Sequence, residues 1–281
     1  MPATNAPGTC SEVHESTVAR LLNLHDGEAG VMTLVDYGPA AIPALRSFLF
    51  RRDRSGIYQP RRWAVDALAA LKAYDILADY LRATQPAKDP VERLGDEAVI
   101  NAAARALSKV REEWVFQLLL SQVRKHLYPG VVDAVGSFDL PEAVPYLIDA
   151  LAEDDCRSIA EAHLGRVAPA AQALLLNAAA RRCPSAANES ETSLRQRRSA
   201  LRIVSDTALP ASTWPQVKAL ISDSDMAIAV LACKLWLRLA PAPERHVAVY
   251  RLNALRGRAD FLLAEDIDTC LSNLQEDRSH A

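Results

Sequence analysis

Cysteine, glycine and aromatic residues are scarce in this chain, and each scarcity closes a route. The five cysteines of the 281-residue sequence stand far apart, at Cys10, Cys156, Cys183, Cys233 and Cys270, with no Cys-x-x-Cys pair. An odd, scattered set reads as reduced thiols, not as a disulfide frame or a zinc site. The 10 glycines form no Gly-x-Gly-x-x-Gly, no Walker loop and no Gly-x-Ser-x-Gly, so no glycine-built phosphate cradle or nucleophile elbow is present. No run of alternating Val, Ile, Thr and Tyr reads as a strand. No apolar run reaches membrane-spanning length. Residues 1–10 lack the basic start and apolar stretch of a signal peptide, so the cytoplasm is the expected location. A net charge of −3 supplies no field that steers the whole chain to nucleic acid or a membrane.

Metal and catalytic patterns are missing too. His14-Glu15 has no second histidine one helical turn on, and Glu161-Ala162-His163 is likewise incomplete. Serine, histidine and aspartate occur at no spacing that assembles a triad. No catalytic residue, metal or cofactor is therefore expected.

A repeat is what the chain does have. Pro39-Ala40-Ala41-Ile42-Pro43-Ala44-Leu45 recurs as Pro141-Glu142-Ala143-Val144-Pro145-Tyr146-Leu147, an offset of 141 − 39 = 102 residues, or 3 × 34. A unit of about 34 residues is the length of a two-helix solenoid repeat. Pro39 and Pro141 suit a first helical turn, and Pro43 and Pro145 are expected to bend the helix one turn further in. The second helix of each unit repeats a face: Ala64, Ala67, Leu68 and Leu71, then Ala103, Ala106, Leu107 and Val110, then Val131, Ala134, Val135 and Phe138. Offsets of three, four and seven share one side of a helix. Helical period governs nearly every segment. Second helices are expected at 60–73, 97–111 and 156–167 among others, with a further first helix at 169–183.

The Pro-x-x-Ile-Pro-x-Leu openings and the run Arg62-x-Ala64-x-x-Ala67-Leu68-x-x-Leu71 resemble the HEAT-like repeats, in the variant also found in phycobilin lyase subunits. The resemblance implies an all-α, right-handed α-solenoid of about seven to eight helix pairs. It would span 12–274 as a single array, with disordered tails at 1–11 and 275–281. It also implies that second helices line a concave groove. Positions opposite the Ala64/Leu68 face are Arg62 and Asp66, with Asn101 and Arg105 aligned in the next repeat and Arg195, Arg198 and Arg202 further on. The ladder reads equally as a binding groove or as a solvated face.

Long connections are expected at Arg54–Gln59, Thr84–Asp96 and Pro184–Glu191, all on one edge. Beside that edge lie two basic clusters, Arg46, Arg51, Arg52, Arg54, Arg61 and Arg62, and Arg195, Arg197, Arg198 and Arg202. Arginine forks suit carboxylate or phosphate. The expected function is a non-catalytic scaffold or adaptor that holds a protein partner with an acidic surface, with no membrane role. The candidate partner-binding residues are Arg51, Arg52, Arg54, Arg61, Arg62, Asp66, Asn101, Arg105, Arg195, Arg198 and Arg202. Two alternatives come with the resemblance. One is a nucleic-acid-binding protein or HEAT-like DNA glycosylase, for which Trp63, Asp66 and Arg62 stand close together. The other is a lyase-type chaperone subunit for a tetrapyrrole.

Overall fold

The computed structural model describes residues 10–51, 58–185 and 188–279. Its helices fall into two compact units, Met1–Phe138 and Asp139–Ala281. The first holds α1 (Cys10–Arg20), α2 (Gly27–Asp36), α3 (Ile42–Phe50), α4 (Arg61–Ala70), α5 (Tyr74–Ala83), α6 (Pro90–Leu107), α7 (Glu113–Val123) and α8 (Pro129–Gly136). Each helix packs on the next but one, α2 on α4, α4 on α6, α6 on α8, and likewise α1 on α3, α3 on α5 and α5 on α7, and α1–α2, α3–α4, α4–α5, α5–α6 and α7–α8 pack as sequence neighbours. That pattern makes two layers, odd helices in one and even helices in the other. The core lies between them, and Ala64, Leu68, Ala103, Leu107, Val131 and Val135 are sealed in it as the periodicity requires.

The second unit holds α9 (Val144–Ala150), α10 (Asp154–Ala180), α11 (Glu191–Ser205), α12 (Trp214–Ile221), α13 (Met226–Leu239), α14 (Arg245–Arg256) and α15 (Phe261–Ser279). Here α9–α10, α10–α11, α12–α13, α13–α14 and α14–α15 pack as neighbours, and α9–α11, α10–α12, α11–α13 and α13–α15 as next neighbours. The last helix continues through Ser279, into the segment expected to be a disordered tail.

Four details differ from the sequence reading. The proline motifs open as short 3-10 turns, Gly38–Ala41 and Pro141–Ala143, after which an α-helix starts afresh at Ile42 and Val144. Pro43 and Pro145 therefore occupy the first turn of that helix, where no hydrogen bond is lost, and do not bend a helix interior. The expected helices 156–167 and 169–183 are one 27-residue helix, α10, with Pro169 inside it. Alanines stand directly on both sides of that proline and favour continued helix. Helix α6 begins at Pro90, because the Asp89 carboxylate accepts the Val91 and Glu92 N–H groups as an N-cap, so the connection after Thr84 is short. The connection at 184–189 carries a two-residue antiparallel pair, β1 (Pro184–Ser185) with β2 (Asn188–Glu189). The connection at 54–59 falls mostly outside the described residues.

Two buried arginines pin the connections. Arg61, 5% exposed, donates to Gln59 Oε1 at 2.8 Å and to Asp96 Oδ1 at 2.5 Å, while Asp96 Oδ2 accepts the Ala87 N–H at 2.9 Å. A Cβ at Gly95 would stand 2.0 Å from the Gln59 amide nitrogen, so this close approach needs glycine. Arg197 is wholly buried and donates to the Ala179 carbonyl at 2.7 Å, to Glu189 Oε2 at 2.6 Å and to Asp223. It thereby ties the end of α10, the β1–β2 hairpin and the α12–α13 turn to α11. Removing such a partner leaves buried carboxylates uncompensated, a loss of about 3–5 kcal/mol.

Asp223 and Asp225 titrate below the ordinary carboxylate value in the folded chain. Burial by itself would raise both, but hydrogen bonds from Arg197, the Asp225 N–H and Arg182 to Asp223, and from Arg198 and the Ile228 N–H to Asp225, outweigh it. A depressed folded pKa contributes stability that is fully present above the unfolded value, about 3.9, and is lost as pH falls through the folded value. The melting temperature should hold from neutral pH to about pH 5 and drop below about pH 4. Asp223→Asn should lower it at neutral pH and flatten the acid limb. A melting temperature indifferent to acid down to about pH 3 would contradict this linkage.

Close helix approach gives a second test. A Cβ at Gly130 would lie 2.6 Å from the Asn101 Cα, a backbone atom that cannot swing aside, whereas nothing lies within 4 Å of a Cβ at Gly165 inside α10. Gly130→Ala should destabilise by about 1–3 kcal/mol. Gly165→Ala should stabilise by about 0.4–1 kcal/mol. Denaturant midpoints that rank the two variants the other way would show the α6–α8 spacing to be wrong.

Candidate functional site

The even-numbered helices of the first unit turn a polar face away from the core. On α4, Arg62 and Asp66 are one turn apart and exposed; on α6, Asn101 and Arg105 repeat that interval, and Lys109 follows at the same spacing in the turn just past the helix end. Residues four apart lie on one side of a helix, so the two rows face each other. Between them the lining is alanine: Ala69 and Ala70 from α4, Ala98, Ala102 and Ala106 from α6. Side chains that short leave a cleft of about 560 Å³, with Tyr74 at the start of α5 contributing to its wall.

Two of the ladder residues are bound to the next helix. Asn101 Oδ1 accepts the Gly130 N–H at 2.7 Å, which satisfies a free amide at the start of α8. Arg105 pairs with Asp133 of α8 at 3.2 Å. The side chains of Arg62, Asp66 and Lys109 make no hydrogen bond or close ion pair among the described residues. Partial burial raises the Asp66 pKa, and Arg62 and then Lys109 pull it back down.

The second unit treats the corresponding positions differently. Arg195 reaches Asp154 of α10 at 2.8 Å, and Arg202 pairs with Glu161 of α10. Arg198 pairs with Asp225 at the start of α13, and Lys234 of α13 with Asp266 of α15. Each of these four charges is matched by an opposite charge on a neighbouring helix. Exposed pairs of this kind contribute about 0–1 kcal/mol each, so they set helix register more than they add stability. The candidate residues Arg195, Arg198 and Arg202 are thus stitched into the unit's own ladder.

The first basic cluster divides. Arg61 and Arg62 are adjacent in sequence, yet one is sealed against Asp96 while the other stands at the cleft. The expectation that Arg61 is an edge residue open to a partner is corrected by this burial. Arg51 ends α3, its guanidinium 5.7 Å from the Phe48 ring centre, and Arg46 lies 5.2 Å from the Phe50 ring centre. Arg52 and Arg54 lie outside the described residues. Four of the expected residues, Arg62, Asp66, Asn101 and Arg105, come together in one cleft. Lys109 and Tyr74 were missed, although Lys109 continues the Asn101–Arg105 interval by one more turn.

The remaining sequence suspects are accounted for by packing. The Trp63 indole fills the space a Cβ on Gly27 would need, at 2.4 Å, and donates to Tyr58 Oη at 3.2 Å. Tyr58 in turn donates to the Leu21 carbonyl at 2.8 Å. Glu161 accepts from Ser199 at 2.6 Å as well as from Arg202, and His163 is buried against Arg166. Among the described residues no group of three or more His, Cys, Asp or Glu is placed to hold a metal ion. Burial pushes the Cys156 thiol up to about 11 and the Cys233 thiol up to about 12, so neither is a thiolate at neutral pH. Among the described residues no helix is long and apolar enough to cross a membrane.

No family model and no curated protein matches the chain. Among solved structures it is similar to the complex of CpcE and CpcF of phycocyanin lyase from Nostoc sp. PCC7120, at 19% identity over 95% of this chain and 98% of that one, with a TM-score of 0.36.

Proposed function

We propose that the chain is a non-catalytic HEAT-like scaffold, a right-handed solenoid over residues 12–274, that binds an acidic protein segment in the α4–α6 cleft. The observation that supports this reading is the interruption of the charge ladder. At Arg195, Arg198, Arg202 and Lys234 of the second unit, and at Arg105, charge meets charge on a neighbouring helix. At the cleft, Arg62, Asp66 and Lys109 are left over, above a floor of alanines. Stability gives no reason for such an arrangement, and an incoming segment would supply the missing partners. Arg62 and Lys109 outnumber Asp66, so carboxylates are the favoured visitors, and Asp66 can accept an N–H from the same segment. The alanine floor lets a peptide backbone lie close to α4 and α6.

Nucleic acid would use the same cations through its phosphates, but a chain of net charge −3 lacks the broad basic surface that such binding rests on. A lyase-type chaperone for a tetrapyrrole has the phycocyanin lyase likeness beside it. At a TM-score of 0.36 that likeness argues for neither reading.

A glutamate-rich peptide, a single-stranded oligonucleotide and a linear tetrapyrrole are the probes, each titrated by calorimetry. The parent chain should bind the peptide, with affinity falling as salt rises. Arg62→Glu combined with Lys109→Glu should keep the helical circular dichroism and weaken the peptide at least tenfold, about 1.4 kcal/mol. Arg61 is unsuitable for this test, because its replacement would break the Asp96 pair. Tighter binding of the oligonucleotide or the tetrapyrrole than of the peptide would replace the reading with that alternative. Peptide affinity unchanged in the double variant would remove the cleft from consideration.

A further inference from the structure

A second depression lies at the other end of α6 and plays no part in the cleft. It measures about 700 Å³ and is walled by the connection after α5, the first half of α6 and the connection between α7 and α8. That volume is in the range of small-molecule sites, about 300–1,000 Å³.

Its chemistry is lopsided. Arg82 comes from the end of α5, Arg93 from α6, and Lys125 and His126 from the α7–α8 connection; Glu97 is the one acid in the wall. Arg82 is paired with Asp79 on its own helix at 3.1 Å, and Arg93 lies 3.8 Å from Glu97. Lys125 has no partner among the described residues. Cations from three separate elements thus surround one space, an arrangement suited to a group with several anionic oxygens.

The walls also offer a place for a ring. His126 and Tyr128 are stacked, ring centres 5.2 Å apart at 24°, and form an aromatic ledge. Pro86, Ile100 and Val131 supply an apolar floor, and the Gln85 and Gln122 carboxamides bring donors and acceptors to the same space. Burial, then the nearby charge of Glu97, raises the Tyr128 pKa, so Tyr128 keeps its hydroxyl proton as a donor.

The pocket is tied in place. The Ala87 N–H is fixed by Asp96, which the buried Arg61 locks. The Tyr128 carbonyl accepts the Val131 and Val132 N–H groups, and the His126 N–H donates to Gln122 O at 3.1 Å. Sites whose walls are set before binding lose less entropy when filled.

We infer that this pocket binds a free nucleotide, a flat heteroaromatic ring carrying phosphate. The phosphate meets Arg82, Arg93 and Lys125, and the ring extends the His126–Tyr128 stack from its outer face, with its edge toward the glutamines. The chain has no glycine-rich phosphate loop, so side-chain cations do the work that backbone N–H groups do in such loops.

The test titrates the full chain with ADP, ribose 5-phosphate and inorganic phosphate by calorimetry, and follows the His126 ring signals by NMR. ADP should bind one per chain and shift those signals, with ribose 5-phosphate and phosphate at least tenfold weaker. Arg93→Ala combined with Lys125→Ala, both exposed positions, should weaken ADP at least tenfold. Arg62→Glu with Lys109→Glu should leave ADP binding unchanged, which separates this site from the cleft. Phosphate binding as tight as ADP would overturn the ring part of the proposal. No ADP binding, or ADP binding indifferent to the Arg93/Lys125 variant, would overturn it altogether, as would an oligonucleotide that binds the pocket more tightly than the free nucleotide.

Discussion

Most helices of this protein are too short to stand alone, and that constraint governs the rest. Helix α8 has 8 residues, α9 has 7 and α12 has 8, whereas isolated helices below about 12–15 residues are marginal in water. Each must bury one side against the opposite layer and another against its neighbour in the same layer. Small residues meet that demand by letting backbones approach closely, as Gly130 does against Asn101 and Gly27 against Trp63. Alanine on the outward side of α4 and α6 follows the same habit, and there it leaves a hollow instead of a contact.

Arginine takes opposite parts in this arrangement. Arg61 and Arg197 are interior residues, surrounded by carboxylates and carbonyls that fix connections to helices. Arg195, Arg198 and Arg202 lie at the surface yet are matched to carboxylates of neighbouring helices. The Arg62 side chain makes no hydrogen bond or close ion pair among the described residues, with only the charge of Asp66 one turn away, and it borders a cleft. A functional surface is marked here by the missing partner more than by the presence of charge.

Local arithmetic explains what the sequence disclosed. Helix faces depend on intervals of three and four, so Ala64, Leu68, Ala103 and Leu107 could be placed in the core, and Arg62, Asp66, Asn101 and Arg105 on one outward side. Caps and partners depend on distant residues, and those were hidden. Arg105 meets Asp133 across 28 positions and Arg195 meets Asp154 across 41. A basic run such as Arg61-Arg62 looks uniform in one dimension, yet a single step along a helix is a turn of about 100°, enough to carry one arginine inside and leave the next outside. The fusion of two expected helices into α10 escaped for another reason. Pro169 was read as a boundary, while the alanines around it let the helix run on.

That fusion limits how this part of the chain can vary. Where two helices are joined by a loop, an added residue is taken up by the loop, and both helices keep their buried faces. Inside α10 there is no such slack. One residue inserted near Pro169 would rotate everything after it by about 100° and advance it by about 1.5 Å, swinging Ala171, Leu175, Leu176 and Ala179 out of the core together. The tolerance to insertion and deletion that loops give a repeat array elsewhere is suspended along this helix, and the spacing between its two halves is held by backbone geometry alone.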